Sequence, residues 1–192
     1  MCLNSIDFRR GGRFPGLVLL GACPGQDEWN ATPRRPFAGQ SAVNLRILLQ
    51  ALHDLQNKEA YGFQPDDFSS TNPDDYTLMN SHDEAKWWAK DRRTTPRLSE
   101  VQTPANLRRL TDQLLSVDAR VVVGLGRPID DAKLILGRSD TGPLRAIRRL
   151  APGHPHISFC VTGHPSPQAI NAHGGGDPRR WFVERLRRFE LG

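Results

Sequence analysis

The chain has 192 residues, of which 38% are hydrophobic and 24% charged, a length that suits one domain with a single sizeable core. A net charge of +5 favours a polyanionic partner without specifying one. The longest apolar runs span only a few residues, which excludes a membrane-spanning helix and leaves a soluble, cytoplasmic protein as the expectation.

Taken in order, the first element is a buried strand at Leu17–Leu20. A helix follows, with Leu45, Leu48, Leu49, Leu52 and Leu55 on one face and Ser41 as its expected N-cap. Residues 58–103 read as a long polar insertion around a second strand, Tyr76–Met79. The insertion carries Trp87-Trp88, either a packing anchor or a base-stacking platform. Thr103-Pro104 is a cap followed by proline at the first helical position, and Leu107, Leu110 and Leu114 continue its apolar stripe. A third strand is expected at Arg120–Gly124, a helix at Pro128–Leu136 ending on Gly137, and a fourth strand at Ile157–Thr162. Asp177-Pro178 opens the last helix, whose apolar stripe is Phe182, Leu186 and Phe189. Strands alternating with helices imply parallel pairing covered on both faces. The expected fold is a single-domain α/β protein over residues 1–192, a three-layer α/β/α sandwich on a central, mainly parallel four-stranded sheet.

Charge and cysteine placement narrow the function. From Arg138 onward nine arginines meet four acidic residues, so the cationic surface is local, and arginine suits bidentate phosphate contacts. Cys2, Cys23 and Cys160 show no paired spacing, so neither a disulfide framework nor a zinc site is indicated. His154-x-His156 lacks a third ligand. No phosphate-loop motif is present, and Gly124-Leu125-Gly126 lacks the third glycine of the dinucleotide fingerprint.

In open α/β sheets ligands bind beyond the carboxyl ends of the strands. The unusual residues gather there. The first strand runs into Gly21-Ala22-Cys23-Pro24-Gly25, the second ends at Asn80, and the fourth runs into Gly163-His164-Pro165-Ser166-Pro167. Each has an ordinary explanation as a turn or cap. Three at one sheet edge are harder to assign to turns alone.

Together with Arg35-Pro36-Phe37-Ala38-Gly39, these motifs resemble the uracil-DNA glycosylase superfamily over most of the chain. The nearest first motif is that of its iron–sulfur branch. The resemblance implies a monofunctional DNA glycosylase that extrudes a pyrimidine and hydrolyses its N-glycosidic bond. On that implication Phe37 stacks on the base, and Asn80 pairs with its Watson–Crick edge. His164 donates to O2, Ser166 within His164-Pro165-Ser166-Pro167 anchors a phosphate, and Gln168 or Ile170 fills the vacated duplex. DNA is the implied partner and a monomer the implied state. No cofactor is expected, because the four cluster cysteines of the iron–sulfur branch are absent.

The departures bear on mechanism and substrate. Many branches carry an acid or Asn where this chain has Ala22 or Cys23. Asp27, with Glu28 and Asn30 nearby, is the expected substitute for positioning water, and Cys23 is a poor one unless its thiol pKa is depressed. Strict uracil enzymes place a Tyr against the pyrimidine C5 face where this chain has Gly25, so a C5 substituent has room. The excised base is therefore expected to be uracil or a C5-substituted pyrimidine. One alternative is a defence glycosylase removing hydroxymethyl- or glucosyl-hydroxymethylcytosine from phage DNA. Others are a catalytically silent binder of damaged or uracil-containing DNA, and a nucleotide enzyme on the same layered fold. Arg179 and Arg180, with Arg185, Arg187 and Arg188, belong to a basic C-terminal helix that is either a DNA contact or a charged outer face.

Overall fold

The computed structural model describes residues 5–126, 141–173 and 175–190. Four parallel strands form the centre of the sheet: β2 (Phe14–Gly21), β3 (Tyr76–Asn80), β4 (Val121–Leu125) and β5 (Ser158–Thr162). Two-residue strands β1 (Phe8–Arg9) and β6 (Arg187–Arg188) pair antiparallel on the two edges, giving the order β1-β3-β2-β4-β5-β6. The parallel core is as expected from the sequence. The two edge pairs extend the expected four strands to six, and they are too short and polar to carry a strand pattern.

Two apolar layers cover the sheet, and strand alternation sorts residues between them. Leu17, Leu19, Val121 and Val123 face one side, under α2 (Gln40–His53), α7 (Pro167–His173) and α8 (Pro178–Arg185). Val18, Leu20, Val122 and Val161 face the other, under α5 (Pro104–Ser116) and α6 (Gly142–Leu150). Short helices α1 (Gln26–Asn30), α3 (Trp88–Asp91) and α4 (Leu98–Val101) lie between these elements in sequence. Each central strand is therefore a continuous apolar run rather than an alternating one.

The expected caps hold at two helices. Thr103 accepts from the Asn106 N–H to open α5, and Asp177 accepts from the Arg180 N–H to open α8. At α2 the cap is Gly39 rather than Ser41, because the chain turns there with φ +63° before entering the helix. Phe189 departs from the expected stripe: α8 ends at Arg185, and β6 carries Phe189 round to the opposite core layer. Within 58–103, Phe63, Phe68 and Tyr76 are buried against the sheet, so this segment contributes core as well as polar surface. The helix expected at Pro128–Leu136 lies outside the described residues. Among the described residues no helix is long and apolar enough to cross a membrane.

Candidate active site

The parallel strands β2, β3 and β5 end at the same edge of the sheet, with β4 between β2 and β5, and the loops that follow them build the site. β2 delivers Gly21 to a crowded position. A Cβ there would lie 2.6 Å from the Asn80 Oδ1 and 2.6 Å from the Phe37 Cζ. Glycine is thus what lets the Phe37 ring and the Asn80 amide approach the same strand end. Phe37 is 5% exposed and sits at φ +54°, a left-handed conformation that bulky residues rarely adopt and that costs about 1–3 kcal/mol. The surrounding loop therefore holds this ring in place against its local preference.

Asn80 is 2% exposed, and its backbone is clamped from both sides. Its N–H donates to the Asp7 carbonyl at 2.8 Å, and Arg109 donates to its carbonyl at 3.2 Å while pairing with the Asp7 carboxylate. One residue on, Asn106 donates to the Ser81 carbonyl at 2.8 Å, and the Ser81 hydroxyl donates to the Ala22 carbonyl at 2.6 Å. The end of β3 is in this way tied to the loop after β2. Among the described residues no hydrogen bond uses the Asn80 side-chain amide, which leaves its donor and acceptor for a ligand.

His164 is held with comparable care. Asn44, buried on α2, donates to the Pro165 carbonyl at 2.7 Å, and the Trp181 indole donates to the His164 carbonyl at 3.1 Å. The Ser166 N–H donates to the His164 Nδ1 at 3.1 Å. Nδ1 is thereby an acceptor, so the neutral ring carries its proton on Nε2. Burial disfavours the imidazolium and pushes the pKa down to about 4, so the ring is neutral at pH 7.

These elements enclose a cavity of about 610 Å³. Ala22, Cys23, Gly25, Phe37, Asn80, His164, Ser166 and Gln168 all line it, so eight of the residues singled out in the sequence converge on one space. Glu28, Ser41, Thr94–Pro96, Leu98, Leu125-Gly126 and Thr141–Pro143 also line it. The clamping residues Asn44, Arg109 and Trp181 carry no motif. Their partners are distant in sequence, so only the fold reveals them.

Other expectations are corrected by the geometry. Asp27 is exposed and does not line this cavity, whereas Glu28, one residue on, does. At the third position of α1, Glu28 reaches back to accept from the Gly25 N–H at 2.8 Å. Burial raises its pKa above the usual range, against hydrogen bonds from backbone that include Gly25 and Ala38. Cys23 lines the cavity, but burial pushes its thiol up to about 12, so it is a neutral group rather than an anion. Ile170 is 3% exposed within the core under α7 and is not placed to wedge into a duplex. Gln168 is exposed at the cavity wall, and the Ser166 hydroxyl accepts from the Ala169 N–H to cap α7. Arg179 pairs with Asp54, just past the far end of α2, and Arg180 with Glu184 on its own helix. Neither lines the cavity, which agrees with a charged outer face. Trp87 packs 6.0 Å from the Trp29 ring, while Trp88 is 62% exposed.

For a metal, His82, Glu84 and Glu100 bring ligand atoms within 4.8 Å of one another. Arg93 already holds Glu100 through two contacts of 2.6 Å, and Lys86 holds Glu84, so cationic side chains fill the role an ion would take.

A family model described as the uracil DNA glycosylase superfamily matches residues 8–190. Among curated proteins, none matches the chain.

Proposed function

The chain belongs to the uracil DNA glycosylase superfamily, and from that premise we propose that it is a monofunctional DNA glycosylase acting on an everted pyrimidine. The observation that carries the reading is the convergence of Phe37, Asn80 and His164 on one cavity. Phe37 offers its ring as a stacking face. Asn80 offers an amide donor and acceptor to the Watson–Crick edge, matching N3–H and O4 of uracil in one orientation and N3 and the exocyclic amine of cytosine in the other.

In the reaction the C1′–N1 bond breaks and its electron pair stays with the base, building negative charge on O2. The neutral His164 Nε2–H donates to that oxygen as the charge develops. Water then bonds to C1′ on the positively charged sugar and passes a proton to a carboxylate. Among the described residues Glu28 is the carboxylate in the cavity wall, which makes it the better candidate than Asp27 for this role. The products are the free base and an abasic site. Gly25 leaves the C5 face without an aromatic block, so the substrate class is uracil or a C5-substituted pyrimidine.

Duplexes carrying single uracil, thymine opposite guanine, or C5-modified cytosines, followed by alkaline cleavage of abasic sites, test the reading. Wild-type protein releases at least one of these bases, and His164→Ala lowers the rate about 10²–10³-fold. Undiminished turnover in both His164→Ala and Asn80→Ala refutes the assignment. Binding without scission identifies a catalytically silent DNA binder instead, the reading favoured by the absence of an acid at Ala22 and Cys23.

A further inference from the structure

A second cavity of about 340 Å³ adjoins the first, a size within the range that holds small ligands. The two share Gly25, Glu28, Ser41 and Thr94, so they adjoin along a common boundary, or waist, that includes Gly25. Beyond the waist the lining changes to Gln26, Asp27, Lys86, Trp87 and Trp88. His164, Asn80 and Phe37 take no part in it.

The base pose sets which ring atom faces that waist. With O2 at His164 and the Watson–Crick edge at Asn80, the next position round the ring is C5. His164 follows β5 and Asn80 ends β3. In this pose C5 therefore lies beyond Asn80 from His164, on the side of the segment after β3, whose Lys86 N–H donates to the Pro24 carbonyl beside Gly25 at 2.9 Å. A Cβ at Gly25 would already lie 2.9 Å from the Glu28 Oε2, so a larger residue there must displace that carboxylate and take up space at the shared boundary. Resting on the base pose proposed above, the geometry points to a subsite for a hydroxyl-rich, hexose-like group carried on C5 of the everted pyrimidine.

The chemistry of the lining separates this occupant from a flanking nucleotide. Nothing in the second cavity is arranged to grip a phosphate. Among the described residues no arginine lines it, and the Lys86 ammonium is buried and paired with Glu84. Asp27 and Glu28 repel a phosphate yet accept hydrogen bonds from hydroxyl groups. Trp88, at 62% exposure, presents a broad apolar face of the kind that packs against the C–H face of a pyranose ring. Carboxylate acceptors beside an exposed indole suit a neutral polyol.

The test compares kcat/KM for base release from duplexes carrying one uracil, cytosine, 5-hydroxymethylcytosine or glucosylated 5-hydroxymethylcytosine. The glucosylated base is released about tenfold or more faster than the hydroxymethylated one. Trp88→Ala erases that advantage, Trp88→Phe keeps most of it, and uracil release stays within about twofold of wild type in both. Release of uracil with no gain from the sugar overturns the subsite while leaving the glycosylase reading in place, as does an equal loss on every substrate in Trp88→Ala. If no base is released, the glycosylase reading fails and the subsite is judged by binding to the same duplexes. Tighter binding of the glucosylated duplex, lost in Trp88→Ala, then supports it, and equal binding overturns it.

Discussion

Gly21→Ala is the smallest change that probes whether Phe37 and Asn80 act as a unit. The new methyl group would sit 2.6 Å from the Asn80 Oδ1, 2.6 Å from the Phe37 Cζ and 3.1 Å from its Cε1. Carbon contacts are comfortable at about 3.5–4.0 Å, so both side chains must retreat by roughly 1 Å. Both are nearly buried, Asn80 at 2% and Phe37 at 5% exposure, so they retreat only against packed neighbours or into the substrate cavity they line. Overpacking of this kind costs about 1–3 kcal/mol, and a domain of this size loses about 2–4 °C of Tm per kcal/mol. The expected Tm is therefore lower by about 2–12 °C. Activity falls further than stability, because a 1 Å displacement of binding groups costs about 10²-fold in rate. The assay is kcat/KM for base release well below the variant's Tm, with Gly153→Ala as the control, since nothing lies within 4 Å of a Cβ there. A Gly21→Ala protein with lowered Tm and wild-type kcat/KM would show that the ring and the amide do not grip the substrate.

Four other outcomes follow from the same structure. Because the His164 pKa is pushed down to about 4, kcat carries no inflection from this ring near pH 6.5, and its neutral donor is lost only as pH falls through about 4. The same shift makes stability complete above about pH 6.5 and decreasing toward pH 4, since the unfolded chain takes up this proton first; urea midpoints across that range measure it. Arg109→Ala leaves the Asp7 carboxylate without its cation and releases the Asn80 carbonyl, a loss of about 3–5 kcal/mol readable by denaturant unfolding. Glu28→Gln lowers kcat about 10²–10⁴-fold while Asp27→Asn changes uracil release little; equal effects would place the water elsewhere.

Much of the sheet was legible because parallel strands buried on both faces must be unbroken apolar runs, and Val121-Val122-Val123 cannot be read otherwise. The edge pairs were not, since Arg187-Arg188 as a strand is defined by its partner Cys160-Val161 and not by its own side chains. The start of α2 was misread because Ser41 is the better cap by side chain, whereas the chain turns two residues earlier on a conformation that Gly39 tolerates. In the site, residues at strand ends were legible from their motifs. The groups that hold them were not. Asn44 and Pro165 are 121 residues apart in sequence, and nothing in either neighbourhood announces that an α2 amide fastens the histidine loop.

The exchange of Asp27 for Glu28 has the same physical origin at smaller scale. Successive residues on a helix point about 100° apart, so a loop acid can face the cavity or solvent depending on where the helical turn begins. In α1 the turn begins at Gly25, whose N–H is left without an intrahelical partner and is met by the carboxylate three residues later. That bond selects Glu28 for the inner side and sends Asp27 outward against Gly39, where a Cβ would meet its carboxylate at 2.6 Å. Gly25 therefore acts twice. It lines both cavities without a side chain, and its N–H holds the Glu28 carboxylate at the boundary they share. On the proposed base pose, a larger residue at position 25 would crowd the C5 side and displace the Glu28 carboxylate together, so the proposed substrate breadth and the proposed role of Glu28 would be coupled through one backbone position.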